Sequence, residues 1–328
     1  MSKKFEMMYS KVKYLLISST IAFTFLTLML TLKTWYKLEH YTKNVTVDYD
    51  DSLFKEVEFR LGTCNLLRKW TKTGHKHLIE EIELFSNLYG EDFERVSNYT
   101  NIEDNVLEES CFLRHARRFN SPHGVLWPRR YYHFPDWFRN DTISWSDKND
   151  TLFWRGSATG PILDEEEVTG KSNRRKIVEL LQSFNRTDID VGFIALFEKE
   201  EKYSHLRREP VPQEGMFQYK YVLNIEGNDL SSNFPQALFS WSCPFHPYPF
   251  SVESVYFRLL RPWEHFIPLQ LDGSDTIEKL QFCKNNENFC RKVGENGRRM
   301  MEKFMNETFC HEVNRQVLVR LRNIPLQS

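Results

Sequence analysis

Apolar residues run uninterrupted by charge from Tyr14 to Leu32 (YLLISSTIAFTFLTLMLTL), and nowhere else is the chain apolar for so long. At about 1.5 Å of rise per residue such a run crosses the hydrocarbon core of a bilayer as a helix. Beyond it the pattern becomes polar to residue 51, then helical in period to about residue 110, with Leu78, Ile79, Ile82 and Leu84 as an apolar patch. From Cys111 onward the period shortens into apolar strands, turns and helices, the alternation of an α/β domain. Thr151 to Trp154 reads as a strand and the segment 155–161 as a turn rich in small residues. Ser172 or Asn173 then caps a helix whose Ile177, Leu180, Leu181 and Phe184 share one face, and Asp190 to Leu196 reads as the next buried strand. Strand, loop, helix, strand is a βαβ unit, which binds ligands outside the carboxyl ends of its strands.

A second unit follows. Tyr219 to Glu226 alternates as a strand and ends in Gly227, Asn228, Asp229, Leu230, Ser231, Ser232 and Asn233. Phe234 to Trp241 reads as a helix whose start Pro235 confines. A strand reaches Phe245, the prolines at 244, 247 and 249 with His246 mark a loop, and Pro262 to Leu269 holds another strand edge. Asn285 to Phe309 closes the pattern as a helix or helix pair interrupted near Gly294 and Gly297.

Flanking charge turns the first apolar run into a topology. Lys3, Lys4, Lys11 and Lys13 precede it and favour a cytoplasmic N-terminus. Lys33, Thr34, Trp35 and Tyr36 make a poor cleavage site and a good interfacial anchor, so an uncleaved signal anchor is expected rather than a removed signal peptide. The expected organisation is a cytoplasmic tail (1–13), an anchor (14–32), a stem (33–51), a short helical region (52–110) and a main domain (111–328). N-x-S/T acceptor sites at Asn44, Asn98, Asn140, Asn149, Asn185 and Asn306 all follow the anchor, as do all six cysteines, which suits a luminal body. The crowding of Cys283, Cys290 and Cys310 predicts a local disulfide, and the absence of C-x-x-C removes zinc-ribbon and thioredoxin-like chemistry. A formal charge of -1 argues against nucleic acid as the partner.

Chemistry concentrates at the two strand ends. Arg155, with Arg174 or Arg175 at a helix start, sets guanidinium groups beside backbone N–H donors, a combination that suits a diphosphate. The same residues also describe a surface loop with a salt bridge to Asp164 or Glu165. Asp188 and Asp190 have D-x-D spacing at a strand entry, while His75 and His77 lack the spacing of a helix-face metal pair. No G-x-S-x-G is present.

The run from Leu152 to Gly160, the basic pair at Arg174 and Arg175, the stretch Asp188 to Phe193, the stretch Lys220 to Asp229 and the stretch Leu260 to Leu269 come in one order. In that order they resemble glycosyltransferase family 90, which contains Rumi-type protein O-glucosyltransferases, capsule-associated xylosyltransferases and lipopolysaccharide-modifying enzymes. The resemblance covers about residues 111 to 310. It implies a two-lobed, Rossmann-type GT-B fold, inverting transfer, a UDP-sugar donor and no metal or other cofactor. On this reading Arg155, Gly156, Ser157, Thr159, Gly160, Arg174 and Arg175 meet the donor from one strand end. Glu226, Gly227, Asn228, Asp229 and Ser232 meet it from the other. The acceptor is a glycan or glycoprotein hydroxyl, and the expected location is the Golgi or endoplasmic reticulum membrane, single-pass type II with the body luminal. Four departures stand out: Tyr132 replaces an arginine before His133, Asn233 aligns with an arginine of Rumi-type members, Glu253 matches an acidic position only with a shift, and no Arg-Asp motif precedes residue 111. His133 and Asp136 are the candidate bases, followed by Glu103, Asp104 and Glu108. A luminal binding module without catalysis is the alternative that the missing Arg-Asp motif and Asn233 favour.

Overall fold

The computed structural model describes residues 53–62, 67–68, 85–90, 113–119, 124–128, 138–160, 173–196, 203–323 and 326–327. The chain divides into two units, residues 1–50 and 51–328, and every described residue belongs to the second. The Tyr14 to Leu32 anchor and the candidates His75, His77, Glu103, Asp104, Glu108, His133 and Asp136 lie outside the described residues. Among the described residues no helix is long and apolar enough to cross a membrane.

The first helix is α1 (Leu53–Leu61), followed by the short strand Leu67–Arg68, which pairs in parallel with Leu326–Gln327, and by three further two-residue strands, β1 (Leu113–Arg114), β2 (Arg117–Arg118) and β3 (Val125–Leu126). The centre of the fold is β4 (Asn149–Ser157), α2 (Arg174–Ser183) and β5 (Ile189–Ala195). Then come β6 (Tyr219–Leu223), α3 (Phe234–Phe239), β7 (Cys243–Pro247), β8 (Val252–Glu253) and β9 (Ile267–Leu269). Three helices end the chain: α4 (Thr276–Asn285), α5 (Glu287–Glu302) and α6 (Glu307–Arg322).

Five strands form one parallel sheet in the order β9-β7-β6-β4-β5. Numbered by chain order, this is 2-1-3-4-5 read from β5, a doubly wound sheet whose order reverses between β4 and β6. Parallel sheets need both faces covered. Ile177, Val178 and Leu181 of α2 pack with Leu152, Trp154, Tyr221, Leu223 and Phe245 on one face. Ala237 of α3 packs with Phe153 and Val222 on the other. The α/β expectation is met by this sheet and its helices. Among the described residues it is the only extended sheet; β1 pairs with β3, and β2 pairs with β8, over two residues each.

Asn173, one of two expected caps, is the N-cap of α2, and its side chain accepts from the backbone of Arg175 and Lys176. The Cys283–Cys290 disulfide forms within the cysteine-rich stretch, across the joint between α4 and α5, while Cys243 and Cys310 are free. Several local readings are corrected. The stretch Arg155 to Ser157 continues β4 rather than turning, because it stays paired with Gly192, Phe193 and Ala195 of β5, with a register shift after Gly156. Phe184 is 44% exposed, and Val178 takes its expected place in the buried stripe. Pro244, His246 and Pro247 lie in an inner strand rather than a loop, with Pro249 beyond it in a cis peptide bond. Gly294 and Gly297 do not interrupt α5: a Cβ at Gly294 would lie 2.5 Å from the carbonyl oxygen of Ser242, so the glycines let the helix lie against the backbone at the start of β7. Helix α6 extends well past Phe309, where the sequence pattern closes its last helix. It packs Val313, Val317, Leu318 and Leu321 against Val57 and Leu61 of α1 and against Trp127. Arg60 of α1 bonds Asn314 across 254 positions of sequence, at 2.7 Å.

Candidate functional site

Sequence order and sheet order together locate the crevice. The connections after β4 and β6 leave toward opposite faces, so the switch point of the sheet, where α/β folds hold their ligand crevice, lies outside the carboxyl ends of these neighbouring strands. Two loops flank it, residues 157–160 after β4 and 224–232 after β6. The second returns into α3, whose N-cap position is Asn233.

Arg174 ties the loops together from the first turn of α2. Its Nε and Nη2 donate to the carbonyl of Ile225 at 3.0 and 2.8 Å, and its Nη1 donates to the Ser157 carbonyl at 3.0 Å and to Thr159 Oγ1 at 2.6 Å. The guanidinium lies 5.6 Å from the ring of Trp154. Arg175 donates to the carbonyls of Gly160 and Ala158, and burial lowers its pKa. The loops also meet directly, where the backbone N–H of Gly160 donates to Asn228 Oδ1 at 3.0 Å. Glycine is required on both sides of this contact. Gly160 has φ +104°, and a Cβ there would lie 3.0 Å from the Gly227 oxygen. A Cβ on Gly227 would lie 2.6 Å from Thr159 Oγ1.

Acidic residues of the second loop anchor it from below. Glu226 is buried and accepts from the backbone N–H of Ser251 at 3.0 Å and from the Ser251 hydroxyl. Asp229 Oδ2 lies 3.0 Å from Nε2 of the buried His115, which brings the N-terminal part of this unit to the crevice. Ser232 stands exposed just before α3.

Ser157, Thr159, Gly160, Arg174, Arg175, Glu226, Gly227, Asn228 and Asp229 thus gather around one crevice. Arg155 is drawn away from it. Its Nη2 pairs with Asp190 at 2.7 Å, and its Nη1 and Nε reach the carbonyls of Asp190 and Glu209. Asp188 pairs with Arg186 and Lys284, and hydrogen bonding by Arg186 holds its carboxyl well below the usual range. Both acids of the D-x-D spacing sit at the amino end of β5, away from the carboxyl-end crevice, and are spent on ion pairs. Asn233 Nδ2 donates to the carbonyl of Arg155 at 3.1 Å, and Glu253 forms a buried ion pair with Arg117 at 2.7 Å. Both act on the frame of the fold. Sequence reasoning missed His115 and Ser251, whose partners lie 114 and 25 positions away. No local period signals such pairs.

Two further histidines, His246 and His265, are buried in the fold. His246, packed among Phe234, Phe250 and Phe266, is pushed down to about 4 by burial, and His265 to about 3 by burial and then by the charges of Arg261 and Lys303. His246 Nδ1 donates to the Pro247 carbonyl at 2.7 Å, leaving Nε2 as an acceptor. Both rings are neutral in the folded protein at pH values where an unfolded chain, with an ordinary histidine pKa of about 6.5, binds protons. Stability is therefore fully present above about pH 6.5 and falls as pH drops toward about 4, by up to about 1.4 kcal/mol per pH unit for each histidine. Urea unfolding near pH 7 and near pH 5 should show this slope, and His246→Phe should remove one histidine's share. An unaltered slope in the variant would mean that His246 titrates normally.

The model of glycosyl transferase family 90 matches residues 137–317, starting inside the region expected from the motifs and running slightly past it. Protein O-glucosyltransferase 1 of Rattus norvegicus is 29% identical over 168 residues, which cover 49% of this chain and 40% of that protein. Protein O-glucosyltransferase 3 of Homo sapiens is 25% identical over 162 residues, 49% of this chain and 29% of that protein. This chain thus spans less than half the length of these relatives. The crystal structure of Anabaena Alr3699/HepE in complex with UDP-glucose aligns with a TM-score of 0.38 and 6% identity over 53% of this chain and 49% of that one, too slight a likeness to carry an argument.

Proposed function

The chain belongs to glycosyl transferase family 90, and from that membership we propose that it is an inverting glycosyltransferase moving glucose or xylose from a UDP-sugar to a hydroxyl of a glycan or protein. The observation that carries this reading is the crevice at the switch point of the sheet, where two glycine-dependent loops are locked together by Arg174. In an α/β sheet that crevice is where nucleotides sit. Loops held from behind by an arginine present their outer polar groups, among them the Ser157 and Ser232 hydroxyls, without reorganisation when a diphosphate arrives. The cationic guanidinium groups of Arg174 and Arg175 favour a departing diphosphate even where their N–H groups are spent on carbonyls.

In this reaction the acceptor oxygen attacks the anomeric carbon from the face opposite UDP, the bond to the diphosphate oxygen breaks, and a base takes the acceptor proton. His133 and Asp136 are the proposed bases. The protein is proposed to be a single-pass type II protein of the Golgi or endoplasmic reticulum, held by residues 14–32, with a luminal body and neither metal nor nucleic acid as a partner. A second reading, a luminal binding module, draws on Asn233, which serves the fold where Rumi-type relatives carry an arginine.

A soluble body of residues 45–328 should be stabilised against heat by UDP, and equally so in EDTA. A requirement for manganese would overturn the metal-free reading. Release of UDP from UDP-glucose or UDP-xylose with a mixed glycan acceptor pool, lost in His133→Ala or Asp136→Ala, would establish the base. UDP binding without release under either donor would favour the binding module.

A further inference from the structure

Asn306 is both an acceptor site, Asn306-Glu307-Thr308, and the N-cap of α6. Its Oδ1 accepts from the backbone N–H of Phe309 at 3.0 Å, which turns the amide Nδ2 away from the helix. The side chain is exposed and forms the lip of a cleft of about 230 Å³. Leu259, Phe304 and Phe309 give the cleft an apolar wall, and Glu56, Arg258 and Lys303 line its polar side. Glu56 is 1% exposed and fixed by Arg60 at 3.0 Å and Arg258 at 3.3 Å. The volume lies below that of pockets for drug-sized ligands, roughly 300–1,000 Å³, and suits one sugar ring.

We propose that Asn306 carries an N-glycan whose first N-acetylhexosamine lies in this cleft, its apolar C–H face on Phe309 and its polar edge toward Arg258 and Lys303. The inference rests on the luminal placement proposed above. The occupant follows from the tether, since the acceptor nitrogen belongs to a residue lining the cleft. In the modification, Nδ2 bonds to the anomeric carbon of a lipid-diphosphate-linked oligosaccharide. The lipid diphosphate leaves with the bonding electrons, and one amide proton passes to the transferring enzyme. Oδ1 keeps its lone pairs, so the cap to Phe309 survives. The seated sugar then links the start of α6 to Arg258, which pairs with Glu56 of α1 at 3.3 Å. Asn185 offers an internal comparison: it is an exposed acceptor on a tight turn with φ 47°.

The full-length protein, secreted-pathway expressed, is analysed by mass spectrometry for occupancy and treated with an N-glycan amidase before and after denaturation. Asn306 should be occupied. Its glycan should leave the native protein several times more slowly than that of Asn185 and at the same rate once unfolded. Thr308→Ala, which removes the sugar but keeps the Asn306 cap, should lower Tm by about 2–4 °C. The same change in protein from a host without N-glycosylation should not lower it. Thr187→Ala, which empties Asn185, is the control and should leave Tm in place. An occupied Asn185 beside an empty Asn306 overturns the proposal while sparing the luminal placement. Equal native release rates with an unchanged Tm also overturn it. If no acceptor is occupied, the luminal placement itself falls and takes this proposal with it.

Discussion

Arg174→Ala is expected to weaken UDP binding by about 100-fold, or about 2.7 kcal/mol, through release of the loops and loss of a positive charge rather than loss of a direct contact. The side chain is 7% exposed and joins the loop after β4 to the loop after β6 through Ile225, Ser157 and Thr159. Its loss removes a positive charge from the crevice and frees the loops to separate, so each remaining ligand contact must be made by a disordered group. Lysine at this position keeps the charge but cannot span three oxygens with one ammonium group. Arg174→Lys should therefore recover only a minor part of the affinity. Calorimetry on folded variants decides the matter: unchanged affinity in Arg174→Ala would remove the crevice from the donor site.

The largest loss of stability is expected from Asp141→Ala. Asp141 and Lys148 form a fully buried ion pair at 2.7 Å, with Lys148 also donating to the Phe217 carbonyl at 2.6 Å. Asp141 further accepts from the backbone N–H groups of Ile143 and Trp241, so it fastens the segment before β4 to the segment before β7. Burial lowers the pKa of Lys148, and Asp141 opposes that shift. Removing one partner of such a pair leaves a stranded charge and costs about 3–5 kcal/mol, much of a domain's total stability of about 5–15 kcal/mol. The double change Asp141→Ala with Lys148→Met removes both charges and should regain part of the loss, though not the two backbone acceptor contacts. Denaturant midpoints give the comparison. A loss below about 1 kcal/mol for the single change would show that Lys148 escapes to solvent or sheds its proton.

What the sequence made legible follows the range of the interactions. The βαβ unit from β4 to β5, the cap at Asn173 and the glycine loops around Gly160 and Gly227 are written in neighbouring residues, and the structure holds each within a few positions of where the local pattern puts it. Arg155 misled because its charge is visible in the sequence while its partner Asp190 lies on an adjacent strand 35 positions away. The prolines of β7 misled because turn chemistry is local, while the strand is held by β6 and β9 on either side. Gly294 and Gly297 read as breaks because the backbone they lie against, near Ser242 and His265, comes from other elements. The pairs His115 with Asp229 and Arg117 with Glu253 leave no periodic trace at all.

The clasp of α1 by α6 sets a timetable for the newly made chain. Arg60 and Asn314 are separated by 254 positions, and at a synthesis rate of about 5–20 residues per second the partner follows some 13–50 s behind. During that interval Val57 and Leu61 lack the helix that covers them, while the sheet from β4 to β9 is already emerging and can condense on its own contacts. The front of this body is thus the last part to be finished. In the interval its apolar stripe is a natural client surface for chaperones, and release comes only when the ribosome has delivered Leu321.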